Sequence, residues 1–220
     1  MSDHIATELA ARVRDEIAAA PTGNRFLDLL ETGRLPRERL VWLAGEEYRI
    51  VSSDRRSFAL LAARYPDSPA GDLFLDLAQG EAQALKLLDG FVVALGESEK
   101  NLNAYEPHPF AQTYPAYLAQ RAVFGTAAEV ALAMLANLEE WGAYCSRTAK
   151  ALGVHYGLDE DAVAFFTFFA ESPPGFEERA LAVVSAGLAA GDDPQEIARA
   201  ARLLHAYENA FWDALAEGLP

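Results

Sequence analysis

Proline and glycine fall in clusters at 21–23, 33–36, 66–69, 106–109, 125, 153–157, 172–175 and 191–194, and the segments between them have helical length. These breakers constrain the fold because nothing between them is built for a sheet. The chain has four Ile, eleven Val and seven Thr beside abundant Ala and Leu, a balance that favours helix over strand. The spacing predicts roughly nine helices. Their starts carry capping chemistry: Asp3 before the first, Ser68-Pro69 before the fourth, Thr126 with Glu129 three residues on, Asp159 before the seventh and Asp193-Pro194 before the last. No repeat and no long polar linker divides the chain, so one all-α domain over residues 1–220 is expected.

Segments 36–64, 69–97, 126–152 and 194–217 run several turns each and must bury a stripe against one another as a bundle. In 36–64 the apolar stripe is Leu40, Leu43, Ile50, Val51, Phe58 and Leu61, with Glu47 and Asp54 on the same face. The last helix places Glu208 within Ile197, Ala201, Leu204, Phe211 and Leu215. In 126–152, Asn137 interrupts Val130, Met134, Trp141, Cys145 and Leu152. A buried carboxylate costs several kcal/mol unless it is paired. Either these groups pair with arginines such as Arg55, Arg56, Arg121 or Arg202 or lean out to water, or they converge on a small-molecule pocket. The aromatics around them, among them Trp141 and the run Phe165-Phe166-Thr167-Phe168-Phe169, mostly build core but offer rings to a flat heterocycle.

Lys and Arg total 18 against 33 Asp and Glu, a net charge of −15 that repels polyanions, so no nucleic-acid partner is expected. One cysteine allows no internal disulfide. With no long apolar run, a soluble cytoplasmic protein without membrane contact is expected. The histidines are His4, His108, His155 and His205, and no Glu-x-x-His pair of the di-iron type occurs; His205-Ala206-Tyr207-Glu208 is the reverse order. Neither metal nor cofactor is expected. Cys145 is the one thiol, and on an apolar helix face it reads as an inert core residue.

The stretch Tyr207-Glu208-Asn209-Ala210-Phe211-Trp212 resembles the Glu-x-x-Phe-Trp element that closes the TenA (thiaminase II) family. Trp42-Leu43 leading to Glu46-Glu47-Tyr48, the Glu81 helix, Pro107-His108-Pro109 to Tyr114 and the Ala/Leu-rich helix from Glu129 follow that family's order over essentially the whole chain. The resemblance implies a haem-oxygenase-like helical bundle, a homodimer or homotetramer, and action on an aminopyrimidine. It gives Glu208 the role of acid or base beside Glu47, and pyrimidine-holding roles to Glu46 or Glu47, to Tyr48 and to Tyr114. With Asn137, Trp141 and Phe165 these form the expected site.

The family's nucleophilic cysteine falls on Asn137, and its helix-four histidine on Lys86. An amide orients a substrate but forms no covalent adduct. The nearer analogy is therefore the Cys-less branch, which works on aminopyrimidine breakdown products with carboxylates, here Glu47, Glu139, Glu140 and Glu208. A haem-oxygenase-like iron-dependent oxidase and a non-catalytic binding or regulatory protein are the alternatives.

Overall fold

The computed structural model describes residues 2–19 and 23–219. As the breakers predict, every described element is helical, and among the described residues there are ten: α1 Ser2–Ala18, α2 Arg25–Glu31, α3 Arg37–Arg64, α4 Ala70–Ala94, α5 Glu99–Ala104, α6 Thr113–Phe124, α7 Ala127–Tyr156, α8 Glu160–Ala170, α9 Phe176–Ala190 and α10 Pro194–Ala216. The helix beyond the expected nine is α5. Gly96, at φ +79°, ends the segment that holds α4, and Ser98 starts a new helix by accepting from the Asn101 amide. Pro21 and Thr22 of the first expected break lie outside the described residues.

Side chains of Asn24, Thr126, Asp159 and Asp193 cap α2, α7, α8 and α10 by accepting from main-chain N–H groups. Two expected starts differ. Asp3 lies inside the first turn of α1, where it accepts from Ser185 Oγ, and Pro69 precedes α4 without a side-chain cap.

The helices pack around two apolar clusters. Phe26, Leu43, Phe91, Phe165, Phe166 and Trp212 mark the first, and Phe58, Phe74, Leu132, Val184 and Leu204 the second. The long helices α3, α7 and α10 contribute to both, so the mid-length residues of each stand where the clusters meet. Those mid-length residues include Glu47 and Asp54, Asn137 and Glu208.

Close approach of α4 to α8 depends on Gly90, where a Cβ would run into the carbonyl oxygen of Asp161. Alanine is the better helix former by about 1 kcal/mol, yet the clash is with main chain that cannot rotate away. Gly90→Ala should therefore destabilise the protein by about 1–3 kcal/mol, the range for overpacking. Urea unfolding checks this; an unchanged or higher midpoint would mean that the two helices are not held this close.

Candidate functional site

Where the clusters meet there is a cavity of about 470 Å³. Helix α3 lines it with Glu47, Ile50, Val51, Asp54 and Phe58, α4 with Gly80 and Glu81, α6 with Tyr114, α7 with Asn137 and Trp141, and α10 with Glu208 and Phe211. Phe168, Phe169 and the segment 171–174 between α8 and α9 border it, and Asp76 and Arg179, joined as an ion pair, lie along the same wall. The geometry follows from helical spacing: Glu47 and Asp54 are seven residues apart, two turns along one face.

Glu47, Asp54, Glu81 and Glu208 make no ion pair among the described residues, whereas Asp76 is paired with Arg179. Glu47, Asp54 and Glu208 are 1%, 4% and 6% exposed, and Glu47 Oε1, Asp54 Oδ1 and Glu208 Oε1 are buried with no hydrogen-bond partner. The arginines that pairing would require are elsewhere. Arg121 meets Glu129 at 3.0 Å and Arg202 meets Glu16 at 3.0 Å, while Arg55 and Arg56 lie on the exposed side of α3. Burial disfavours the charged form, and here the acids add to it. Glu47 is held well above the ordinary carboxyl range by desolvation and then by Asp54, Glu208 and Glu46. Desolvation also raises Asp54, against a hydrogen bond from the Tyr114 side chain that pulls it down. Glu81 is raised by desolvation, Asp54 and Glu47. Glu208 moves from an ordinary 4.5 to about 8, through desolvation and then Glu140.

Asn137 is fixed at both ends of its amide. Its Nδ2 donates to the Ala133 carbonyl at 2.9 Å and its Oδ1 lies 3.1 Å from His205 Nδ1. Asn209 Nδ2 stands 3.0 Å from His205 Nε2 and Glu140 Oε2 stands 3.2 Å from Nδ1. These contacts agree with a ring protonated on Nδ1 that donates to Asn137 and Glu140 and accepts from Asn209. Burial lowers the His205 pKa, against Glu140 raising it. Tyr144 holds Glu140 from the other side at 2.7 Å.

The structure thus brings Glu47, Tyr114, Asn137, Trp141 and Glu208 into one cavity. Three other residues expected at the site do not line it. Glu46 is fully buried, one helix position round from Glu47, and accepts from the Tyr105 hydroxyl at 2.9 Å, the His108 amide at 2.5 Å and Gln112 Nε2 at 2.5 Å. Tyr48 is displaced about 100° the other way, and its hydroxyl reaches Glu99 at 3.4 Å. Phe165 packs in the first core cluster against Phe166 and Phe169 at 5.1 and 5.2 Å, and Phe168 and Phe169 border the cavity instead. Glu139 and Lys86 are exposed, and Glu140 supports His205 rather than lining the cavity. Cys145 is buried behind the lining, its thiol pushed well up by desolvation and by Glu47 and Glu208.

Sequence reasoning missed the part that Glu81 plays here, although the signal was present. Phe74, Leu77, Ala84 and Leu88 form a stripe on α4, and Glu81 interrupts it as Glu47 and Glu208 interrupt theirs. Among the described residues no histidine lines the cavity, so a haem iron would find no axial nitrogen from them there. Among the described residues no three His, Cys, Asp or Glu are grouped to hold a metal ion. No described helix is long and apolar enough to cross a membrane.

A sequence profile described as the TENA/THI-4/PQQC family matches residues 22–217. No curated protein matches. Among solved structures, a TenA family transcription regulator from Silicibacter sp. TM1040 is 18% identical over 94% of this chain and 96% of its own, with a TM-score of 0.72. A TenA homologue protein from P. horikoshii OT3 is 14% identical over 98% of both chains, with a TM-score of 0.70. A domain of unknown function with a haem oxygenase-like fold from Shewanella denitrificans os217 is 15% identical over 95% of this chain and 89% of that one, at 0.71. At these identities the likeness establishes the fold, which is haem-oxygenase-like.

Two predictions arise here. Removing the carboxylate in Glu46→Ala strands three donors around the segment 105–112 and should cost about 3 kcal/mol, read as a lower urea midpoint; an unchanged midpoint would show that the clamp is dispensable. The second concerns pH. The folded chain binds the Glu208 proton more tightly than an unfolded chain with an ordinary value of 4.5. That contribution is fully present below about 4.5 and is lost as pH rises through about 8. Glu47, Asp54 and Glu81 act in the same direction. The melting temperature should fall from about pH 5 to pH 9, and Glu208→Gln should flatten that fall; a melting temperature that rises over this range would overturn the assignment.

Proposed function

Because the chain belongs to the TENA/THI-4/PQQC family, we propose that its cavity takes a cationic aminopyrimidine related to thiamin and hydrolyses a C–N bond in it without a covalent intermediate, in the manner of the Cys-less TenA branch. One observation carries the reading. Three buried carboxyl oxygens have no hydrogen-bond partner, in a cavity walled by Trp141, Phe169 and Phe211, and the arginine among its described lining residues, Arg179, is taken by Asp76. A flat cation satisfies both halves of that description, because its charge replaces the missing counter-ion and its ring meets aromatic walls.

Glu208 is the proton donor. At a pKa of about 8 it is neutral at neutral pH, as a general acid must be. Water gives its oxygen to the carbon attached to the ring, the C–N bond breaks, and the departing nitrogen takes the Glu208 proton. A bound cation lowers the cost of ionising Glu47, which then accepts the proton that the attacking water gives up. The active site is restored when the proton returns from Glu47 to Glu208. Asn137, where the resemblance places the nucleophile, cannot attack but offers its amide for orientation. Tyr114 holds Asp54.

The test is steady-state kinetics and calorimetry with thiamin and its aminopyrimidine fragments. Glu208→Gln should lower kcat by about two to four orders of magnitude while the fold is kept. Cys145→Ala should keep most of the activity, because a thiol whose pKa is raised by burial supplies no thiolate. Inactive Cys145→Ala with an intact fold would make the thiol the nucleophile and overturn the mechanism. An absence of binding by any aminopyrimidine would overturn the substrate class.

A further inference from the structure

Helix α3 has a second face, and it carries the opposite chemistry. Arg49, Ser52, Ser53, Arg56 and Ser57 repeat at three- and four-residue spacing on the side turned away from Glu47 and Asp54. With α6 and the segment before it they enclose a groove of about 520 Å³. Among the described residues no carboxylate lines this groove, in a chain with 33 acids against 18 basic residues. We propose that it is a binding site for a small phosphate-bearing molecule, separate from the carboxylate cavity and independent of the reading given for it.

The groove is built rather than incidental. Arg49 is half-buried, and its Nη2 donates to the carbonyl oxygens of Tyr105 at 2.6 Å and Asn103 at 3.3 Å. Carbonyls fix the guanidinium without cancelling its charge. Arg56 makes no ion pair among the described residues, and the two arginines stand about 10 Å apart along the helix with serine hydroxyls between them. Two acids touch the groove's walls without lining it: Glu46 accepts from Gln112 on the inner side while also holding Tyr105 and His108, and Glu99 accepts from the Tyr48 hydroxyl. A guanidinium flanked by hydroxyls suits an oxyanion, and the Arg56 fork with three serine hydroxyls, beside the fixed charge of Arg49, offers more donors than a lone carboxylate uses. Phosphate, with its larger set of acceptor oxygens, matches that supply.

The experiment is titration of the full chain with inorganic phosphate, pyrophosphate and succinate, followed by calorimetry and by ³¹P NMR for the phosphates. Saturable phosphate binding that weakens with added salt is expected, with succinate weaker. Arg56→Gln, a change at an exposed position, should weaken phosphate binding about tenfold and leave the ligand-free melting temperature unchanged. Glu208→Gln should bind phosphate as the unaltered chain does, which separates this site from the cavity. The proposal is overturned by absent binding up to about 10 mM, by succinate binding as well as phosphate, or by binding indifferent to Arg56→Gln. It is also overturned if sedimentation shows that Arg56→Gln splits a dimer and phosphate does not bind, since the groove would then seat a second copy.

Discussion

The rest of this structure depends on the burial of several carboxyl groups in one helical interior without an ion-pair partner. Glu47, Asp54 and Glu208 each leave an oxygen without a hydrogen-bond partner, and an isolated buried carboxylate costs several kcal/mol even after relaxation. The bundle meets that cost in two ways. It neutralises the groups, since desolvation raises all three acids, with Asp54 and Glu208 adding to it at Glu47 and Glu140 adding to it at Glu208. It also surrounds them with apolar packing on both sides, from Phe26 and Trp212 in one cluster to Phe58 and Phe74 in the other. What is left is an interior in which any bound positive charge relieves strain already present. Here stability and binding draw on the same groups with opposite sign, the usual setting for a stability–activity trade-off.

Helix α3 shows how one element serves several surfaces. Over its 28 residues it turns Glu47, Asp54 and Phe58 inward, Arg49, Ser53 and Arg56 outward, and Glu46 toward the segment 105–112. Glu46 holds that segment with three contacts, and Gly45 beside it lets the Tyr105 ring approach to where a Cβ would stand 2.5 Å from Cδ1. The clamp fixes the chain entering α6, and α6 presents Tyr114 to Asp54. A carboxylate outside the cavity therefore positions one inside it.

The same periodicity explains what could be read from the sequence. Glu47, Asp54, Asn137 and Glu208 interrupt apolar stripes at seven-residue spacing, and a stripe reports which face a residue is on. The helical class followed from breakers and composition, while α5 escaped because Gly96 and Ser98 lie in a segment otherwise rich in helix formers. Tyr48, Glu46 and Phe165 stand outside the cavity because residues adjacent in sequence stand about 100° apart on a helix, so a shift of one position points at another surface. Partnership was also beyond reach of pattern. Arg121 and Arg202 were plausible counter-ions until tertiary packing gave them to Glu129 and Glu16.

Asn137 ties the electrostatics to the shape of the ligand. Its carbonyl is occupied by His205 and one amide hydrogen by Ala133, which leaves the second amide hydrogen as what it can offer. His205 cannot withdraw, because Asn209 engages its other nitrogen and Glu140 and Tyr144 brace the arrangement. A ligand that satisfies this interior must then supply an acceptor toward α7 and donors or positive charge toward Glu47 and Glu208. A simple ammonium has donors but no acceptor, and a neutral aromatic has neither charge nor donor to meet the acids. An aminopyrimidine joins ring-nitrogen acceptors to an exocyclic amine on one flat frame, and so can meet both demands at once.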